Sequence, residues 1–136
     1  MTAQKKYFDI LHRVAETVEP VARQRLAACL VYKNQIISMG INKRKTHPFQ
    51  RQFAKHEEAI FLHAETDCIV NALRQLDAVD LKKCTMYITR IKKADENAKS
   101  YISGLAKPCE GCERALAQFG ITNVYYSLDN EGWEKL

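Results

Sequence analysis

The sequence predicts a three-layer α/β sandwich, with a mixed sheet of about four strands and helices on both faces. Segments with a helical hydrophobic period alternate with short apolar runs rich in β-branched and aromatic residues. Helical crossovers precede two of these runs, which gives each the direction of the strand before it. A two-residue connection between the first two runs predicts a hairpin, expected to supply an antiparallel strand at one edge. We expect one domain spanning residues 1–136.

The first part of the chain is expected to form one helix and the hairpin. Residues 3–18 carry apolar side chains at three- and four-residue steps, and Pro20 follows, so we predict a helix that ends before it. The short apolar runs Leu26–Tyr32 and Gln35–Ile41 are predicted as the two strands. Asn42 follows the second strand, where an Asn is suited to closing the turn.

The rest of the chain is expected to contain two helix–strand units. In order, the predicted segments are a helix from Ala64 to Leu76, a polar turn at 77–83, a strand at Cys84–Thr89, a helix at Cys109–Phe119 and a strand at Ile121–Ser127. Gly120 occupies the position after the last helix that favours a left-handed residue. Residues 128–136 are expected to form one short turn anchored by Trp133, which leaves an edge strand before it.

Charge and composition narrow the choice of partners. The net charge is +5, which favours a phosphate-bearing partner, either a nucleotide or a nucleic acid. No apolar run approaches the ~20 residues of a membrane span, and the first residues lack the apolar region of a secretory signal, so no membrane partner is expected. Five cysteines, an odd number, favour a reducing, cytoplasmic compartment. The chain has no glycine-rich phosphate-loop or dinucleotide motif, which argues against an ATP or dinucleotide enzyme.

Two charged loops flank the predicted core. Residues 43–62 lead straight into the helix at 64–76, so we expect them to border a site there and to contact an anionic substrate or a nucleic-acid backbone. Residues 90–107 are open to three interpretations: a lid, a surface for nucleic acid, or a mobile loop. We favour the last two equally.

Two motifs contain the side chains that could bind a metal and transfer a proton. They are His63-Ala64-Glu65 and Pro108-Cys109-Glu110-Gly111-Cys112. One imidazole and two thiolates suit zinc, and three protein ligands leave the fourth tetrahedral position to water, as in catalytic sites. The two cysteines are three positions apart, so at a helix start they share one face, where the helix dipole favours thiolates. Glu65 is then placed to take and return the proton of a water whose pKa zinc lowers to ~7.

Neither motif is specific alone. A lone H-x-E is common by chance, and a lone C-x-x-C also occurs in structural zinc sites and in redox pairs. Their presence together and in order, each at the start of a predicted helix, favours the catalytic zinc site over a structural one. His47 and His56 are not expected to bind metal, since the chain lacks the second His of an H-E-x-x-H motif.

The two motifs together resemble the zinc-dependent cytidine deaminase superfamily. The flanks are most similar to deoxycytidylate (dCMP) deaminases, in the run Ile60–Glu65, the strand Thr85–Thr89 and the helix and strand at 115–125. The resemblance covers roughly residues 26–127. It implies a cytidine-deaminase-like sandwich with its strands in the spatial order second, first, third, fourth. It also implies a Zn²⁺ cofactor held by His63, Cys109 and Cys112, and a homo-oligomeric enzyme of nucleotide metabolism.

The resemblance implies hydrolytic deamination of a cytosine base. A water activated at the zinc would attack C4, and Glu65 would carry its proton to N3 and then to the amino group, which leaves as ammonia. Asn42 and the backbone N–H of Ala64 are implied to bind substrate. The preferred substrate is dCMP or a close pyrimidine nucleotide, and the alternative is a base within single-stranded DNA or RNA. A zinc-stabilised binding protein without activity is the third class, but it would not need Glu65.

Overall fold

The computed structural model describes residues 3–18, 25–43, 63–75, 78–95 and 97–136. These parts of the chain contain three α-helices, one 3-10 helix and six strands. In chain order they are α1 (Ala3–Glu16), β1 (Arg25–Tyr32), β2 (Gln35–Ile41), α2 (Ala64–Leu73), the 3-10 helix (Ala78–Lys83), β3 (Thr85–Lys93), β4 (Tyr101–Gly104), α3 (Glu110–Gln118), β5 (Asn123–Ser127) and β6 (Trp133–Lys135). The predicted α/β class is confirmed, and the two strands beyond the predicted four are β4 and β6.

The six strands form one mixed sheet in the order β2-β1-β3-β5-β6, with β4 paired to β3. The predicted order of the first four long strands is therefore confirmed. β1 is antiparallel to both of its neighbours, whereas β3 and β5 are parallel. The expectation that the hairpin supplies an antiparallel edge strand is also confirmed, because β2 forms the edge of the sheet and is antiparallel to β1, which lies inside it. β1 is the more continuously buried of the two strands, which suits an interior position.

The hairpin turn has the geometry that its sequence requires. Lys33 and Asn34 both have positive φ angles, 51° and 64°. Two such residues make the turn whose twist matches that of the flanking strands. Asn tolerates this left-handed conformation better than most residues, because its short polar side chain can hydrogen-bond locally.

Helices cover both faces of the sheet and create two apolar clusters. On one face, α1 buries Leu11 and Ala15 against side chains of β1 and β3. On the other face, α2 and α3 bury Ile69 and Leu116 against the same strands. Successive residues of β1 alternate between the two clusters, as strand geometry demands. No described helix is long and apolar enough to cross a membrane.

α2 lies directly against β2 at Gly40. A Cβ atom at this position would be 2.3 Å from both the carbonyl oxygen of Ala64 and the backbone nitrogen of Cys68. Ser38 and Asn71 add hydrogen bonds between the two elements, from Ser38 Oγ to Cys68 O at 2.6 Å and from Asn71 Nδ2 to Met39 O at 2.8 Å. The start of α2 is therefore fixed relative to the sheet by close backbone contact.

We expect Gly40→Ala to lower the free energy of unfolding by about 1–3 kcal/mol, the usual cost of overpacking a rigid contact. The new methyl would meet backbone atoms, so α2 must move as a unit. Urea unfolding would measure the loss. Gly104→Ala is the matched control, because its Cβ would meet the flexible side chain of Arg90 at 3.2 Å, which can give way. Equal losses in the two variants would contradict the argument.

The expectation of a loop over 90–107 was wrong for residues 90–93 and 101–104. β3 continues to Lys93, and β4 pairs with it antiparallel. Arg90 and Lys92 occupy alternate positions of β3 on either side of Ile91, which is buried, and Tyr101 of β4 packs against the α1 cluster. These two charges therefore lie on one side of a strand rather than in a loop.

The expectation of one short turn at 128–136 was also wrong, because β6 pairs with β5. Trp133 does anchor this segment, with its ring stacked on Phe8 at a centroid distance of 5.2 Å.

The predicted end of the last helix, α3, is confirmed. Gly120 has a φ of 72°, and the amide of Ile121 donates to Leu116 O at 2.9 Å.

Candidate metal centre

Two helix starts meet at the centre of the candidate site. His63 is the N-cap residue of α2, and Cys109 is the N-cap residue of α3. Both residues have an extended backbone conformation, as is usual for the residue before a helix. The carbonyl oxygen of His63 accepts the N–H of Asp67, and that of Cys109 accepts the N–H of Glu113, which are the first hydrogen bonds of the two helices. Neither side chain caps its own helix. The imidazole Nδ1 and the Cys109 thiol instead lie 3.5 Å apart.

The three residues predicted as zinc ligands form one group. The ligand atoms of His63, Cys109 and Cys112 all lie within 4.8 Å of one another, and His63 Nδ1 is 3.2 Å from Cys112 Sγ. Zinc–nitrogen and zinc–sulfur bonds of about 2.0 and 2.3 Å, set at a tetrahedral angle, separate N and S by about 3.5 Å. The observed separations are close to this value, so the group fits a zinc ion with three protein ligands.

The two thiols of the group differ in their electrostatics. The pKa of Cys109 is lowered to about 4, first by its hydrogen bond with Cys112 and then by that with His63, which outweigh burial. The pKa of Cys112 is raised well above its usual value, first by the hydrogen bond between the two thiols and then by burial. The pKa of His63 is raised, chiefly by its hydrogen bond with Cys109. The group therefore holds one thiolate ready for a cation, stabilised by its neighbours.

Glu65 is the only glutamate among the described buried residues, with 3% of its surface exposed. Burial raises the pKa of its carboxyl, and the nearby His63 opposes that rise. Its side chain also interacts with the thiol of Cys112, which places it against the metal group. A raised pKa makes a carboxyl better suited to take up a proton and to return it.

Asn42 extends the hairpin ladder by one residue at the carboxyl end of β2. Its Oδ1 accepts the N–H of Leu26 at 2.9 Å, and its own N–H donates to Leu26 O at 3.4 Å. The side chain is buried, with 7% exposed. Asn42 thus closes the strand, as its position in the sequence predicted, and its carboxamide is held in one orientation.

Sequence reasoning missed the role of Asp67. Its carboxylate accepts the N–H of Ile41 at 3.0 Å and binds Lys43 Nζ at 3.0 Å, and the side chain is 4% exposed. Asp67 thereby fixes the end of β2 to the first turn of α2, one turn after His63. An acid in a first helical turn was visible in the sequence, but its partners come from a different segment.

Most of the loop that was predicted to border the site lies outside the described residues. These are residues 44–62, with His47, Phe49, Phe53 and His56 among them.

Cys109 is the thiol that we expect to react first with iodoacetamide in zinc-free protein. It is exposed and its pKa is about 4, whereas the other four cysteines are buried. Mass spectrometry after brief alkylation should find the label on Cys109, and prior addition of zinc should suppress it. A label that appears equally on Cys29 or Cys68 would contradict the exposure and charge described for Cys109.

A mixed α/β sandwich with one His and two Cys at neighbouring helix starts defines a zinc-dependent hydrolytic deaminase. A family model described as the cytidine and deoxycytidylate deaminase zinc-binding region matches residues 1–128, and the chain belongs to this family. The predicted family, enzyme class and zinc cofactor are thereby confirmed.

Solved structures agree with this fold. The dCMP deaminase from the cyanophage S-TIM5 in apo form is 20% identical, with a TM-score of 0.59, and the match covers 92% of this chain and 82% of that chain. The same phage enzyme in complex with dCMP and dUMP is 18% identical, with a TM-score of 0.57, covering 92% of this chain and 80% of that chain. A comparison with curated proteins found no match.

Proposed function

We propose that this deaminase converts dCMP, or a close pyrimidine nucleotide, into the corresponding uracil nucleotide with release of ammonia. The observation that carries the proposal is the group of His63, Cys109 and Cys112 with the buried carboxyl of Glu65 against it. Two further points support the nucleotide. The phage enzyme of similar fold has been crystallised with dCMP and dUMP, and the net charge of +5 suits a phosphate-bearing substrate.

We assign His63, Cys109 and Cys112 to holding the zinc. The ion, when bound, lowers the pKa of water at its open position to ~7 and so supplies a nucleophile at neutral pH. Glu65 would take one proton of that water and deliver it to N3 of the base as the C4–O bond forms. Glu65 would then take the proton of the resulting C4 hydroxyl and pass it to the amino group as the C4–N bond breaks, so that ammonia leaves and a carbonyl oxygen remains on C4.

We assign substrate positioning to Asn42 and to the backbone of Ala64. The carboxamide of Asn42 is oriented by Leu26 and lies at the end of β2, where the N–H of the preceding Ile41 donates to Asp67 of α2. A fixed amide loses little conformational entropy on binding, so it is suited to select one orientation of a sugar or base. The N–H of Ala64 is at the start of α2, where backbone donors point out of the helix towards a ligand.

An ammonia-release assay on dCMP, CMP, deoxycytidine, single-stranded DNA and tRNA tests the proposal. We expect the highest kcat/KM on dCMP. Loss of the phosphate in deoxycytidine should cost about tenfold or more, since charge-assisted contacts are each worth about 1.5–3 kcal/mol. Protein with Glu65→Gln serves as the control for contaminating activity. Turnover of the polymers alone would overturn the assignment to a nucleotide, while the deaminase chemistry would stand.

A further inference from the structure

Two acids are buried among the residues that the structure describes, and both lie in the first turn of α2. Glu65 is assigned to proton transfer, whereas Asp67 has no part in that reaction. Taking a carboxylate out of water costs free energy that an ion pair offsets without much surplus. A gain in stability therefore does not explain the charge of Asp67, and its partners indicate another purpose.

Asp67 binds the residues on both sides of Asn42. Its Oδ2 accepts the N–H of Ile41 at 3.0 Å, and its Oδ1 accepts a hydrogen bond from Lys43 Nζ at 3.0 Å. One carboxylate thus fixes the backbone before Asn42 and the side chain after it. A shift of Asn42 relative to α2 would break at least one of these bonds.

Asp67 is in turn fixed to the metal group. Its own N–H donates to the carbonyl oxygen of His63 at 2.8 Å, at the start of α2. Two hydrogen bonds and one short side chain therefore connect the backbone before Asn42 to a predicted zinc ligand. The side chain of Asp67 is 4% exposed, so water has little access to these bonds.

We propose that Asp67 is a positioning residue, which holds Asn42 at a fixed place relative to His63 and Glu65. The substrate that Asn42 binds is thereby held where Glu65 can transfer its protons. Asp67 does this without touching the substrate. This role rests on the substrate contact proposed for Asn42, but it applies to a nucleotide and a polymer alike, because both present a sugar and a base.

Asp67→Asn keeps an oxygen that can accept the N–H of Ile41 but removes the charge that holds Lys43. We expect KM for dCMP to rise about three- to tenfold, the effect of one weakened hydrogen bond, and kcat to stay within about twofold. A merely structural defect would reduce the amount of active enzyme, which lowers kcat and leaves KM unchanged. That result would overturn the proposal.

Calorimetry makes the same comparison without turnover. The Glu65→Gln protein should bind dCMP but not convert it. Adding Asp67→Asn to this protein should raise the Kd for dCMP by the same factor as KM. An unchanged Kd would overturn the proposal.

A double-mutant cycle shows whether Asp67 acts through Asn42. Asn42→Ala should raise KM, and adding Asp67→Asn should then raise it no further, because the group that Asp67 positions is gone. Effects that multiply in the double variant would mean that Asp67 acts independently of Asn42, and the proposal would fail.

Asp129→Asn is the matched control. The carboxylate of Asp129 also accepts a backbone N–H, from Leu105 at 3.1 Å, and binds a lysine, Lys92 at 2.8 Å, but it lies in the turn before β6. We expect this variant to leave KM unchanged. A rise equal to that of Asp67→Asn would contradict a role specific to the end of β2.

Lys43→Met removes the same ion pair without changing a buried residue, because the side chain of Lys43 is 40% exposed. We expect KM to rise about two- to fivefold, the effect of a partly exposed ion pair, and by the same factor on dCMP and on deoxycytidine. Lys43→Arg, which can re-form the pair, should stay near wild type. Unchanged KM in Lys43→Met would overturn the proposal. A rise on dCMP alone would do so as well, because Lys43 would then contact the phosphate itself.

The two proposals can fail separately. If wild type turns over single-stranded DNA or tRNA but not dCMP, the assignment to a nucleotide fails. The cycle of Asn42 and Asp67 is then measured on that polymer, with the same expected result and the same outcome that would overturn it.

Discussion

Glu65→Gln is expected to lower the rate of deamination by roughly 10²–10⁴-fold, the usual contribution of a general acid–base group. The amide keeps the size of the side chain and can still hydrogen-bond, but it cannot accept and return a proton. Its interaction with the thiol of Cys112 places the carboxyl beside the metal group. Ammonia release on dCMP measures the loss, and elemental analysis should still find about one zinc per chain.

Glu110→Gln is the matched control for Glu65. Glu110 follows Cys109 directly but is exposed, so the same chemical change there should leave kcat within about twofold of wild type. Normal turnover by the Glu65 variant would exclude it as the proton carrier. Loss of zinc from that variant would mean that Glu65 supports the ligands rather than the proton transfer, since the carboxyl also interacts with Cys112.

The sequence was sufficient to predict the metal group from local signals, whereas the sheet order was implied by the resemblance to the family. His63 and Cys109 each stand immediately before a helix start, and β2 and β3, the strands that the sequence predicted before these helices, contain apolar runs. In the predicted chain order, each of these helices connects two strands that run in the same direction, so both helices start at the same end of the sheet, the carboxyl end of those strands. The direction of the strands is therefore enough to predict that the two motifs lie close together, without knowledge of any individual contact.

The strands that sequence reasoning missed depend on distant pairing. β4 and β6 have only four and three residues, too few to show a clear alternation, and two of the three residues of β6, Glu134 and Lys135, are charged. Ile91 and Tyr101 become informative only once α1 covers that face of the sheet. The pair of Asp67 with Lys43 was hidden for a similar reason, because its partners lie in different segments and neither residue type predicts the other.

Removing the metal is expected to have the second large effect, on stability as well as on activity. The ligands come from the starts of α2 and α3; α2 packs on β1 and β2, and α3 adds Ala115 and Leu116 to the same apolar cluster. A bound ion therefore links two helices that the sequence separates widely. A ligand present at a thousand times its dissociation constant adds about 4 kcal/mol to the stability of the folded state. We expect Cys112→Ala to lose this contribution, to bind no zinc and to release no ammonia above background.

Chelation separates the effect of the ion from that of the side chain. Cys112 is fully buried, so its truncation alone should cost about 1 kcal/mol in unfolding free energy. Chelator should then lower the stability of wild type by about 4 kcal/mol but leave Cys112→Ala unchanged, which is the non-additive result expected when the side chain and the ion act together. If chelator destabilised both proteins equally, the ion that it removes would lie elsewhere. If it destabilised neither, zinc would serve the reaction at this site without linking α2 to α3.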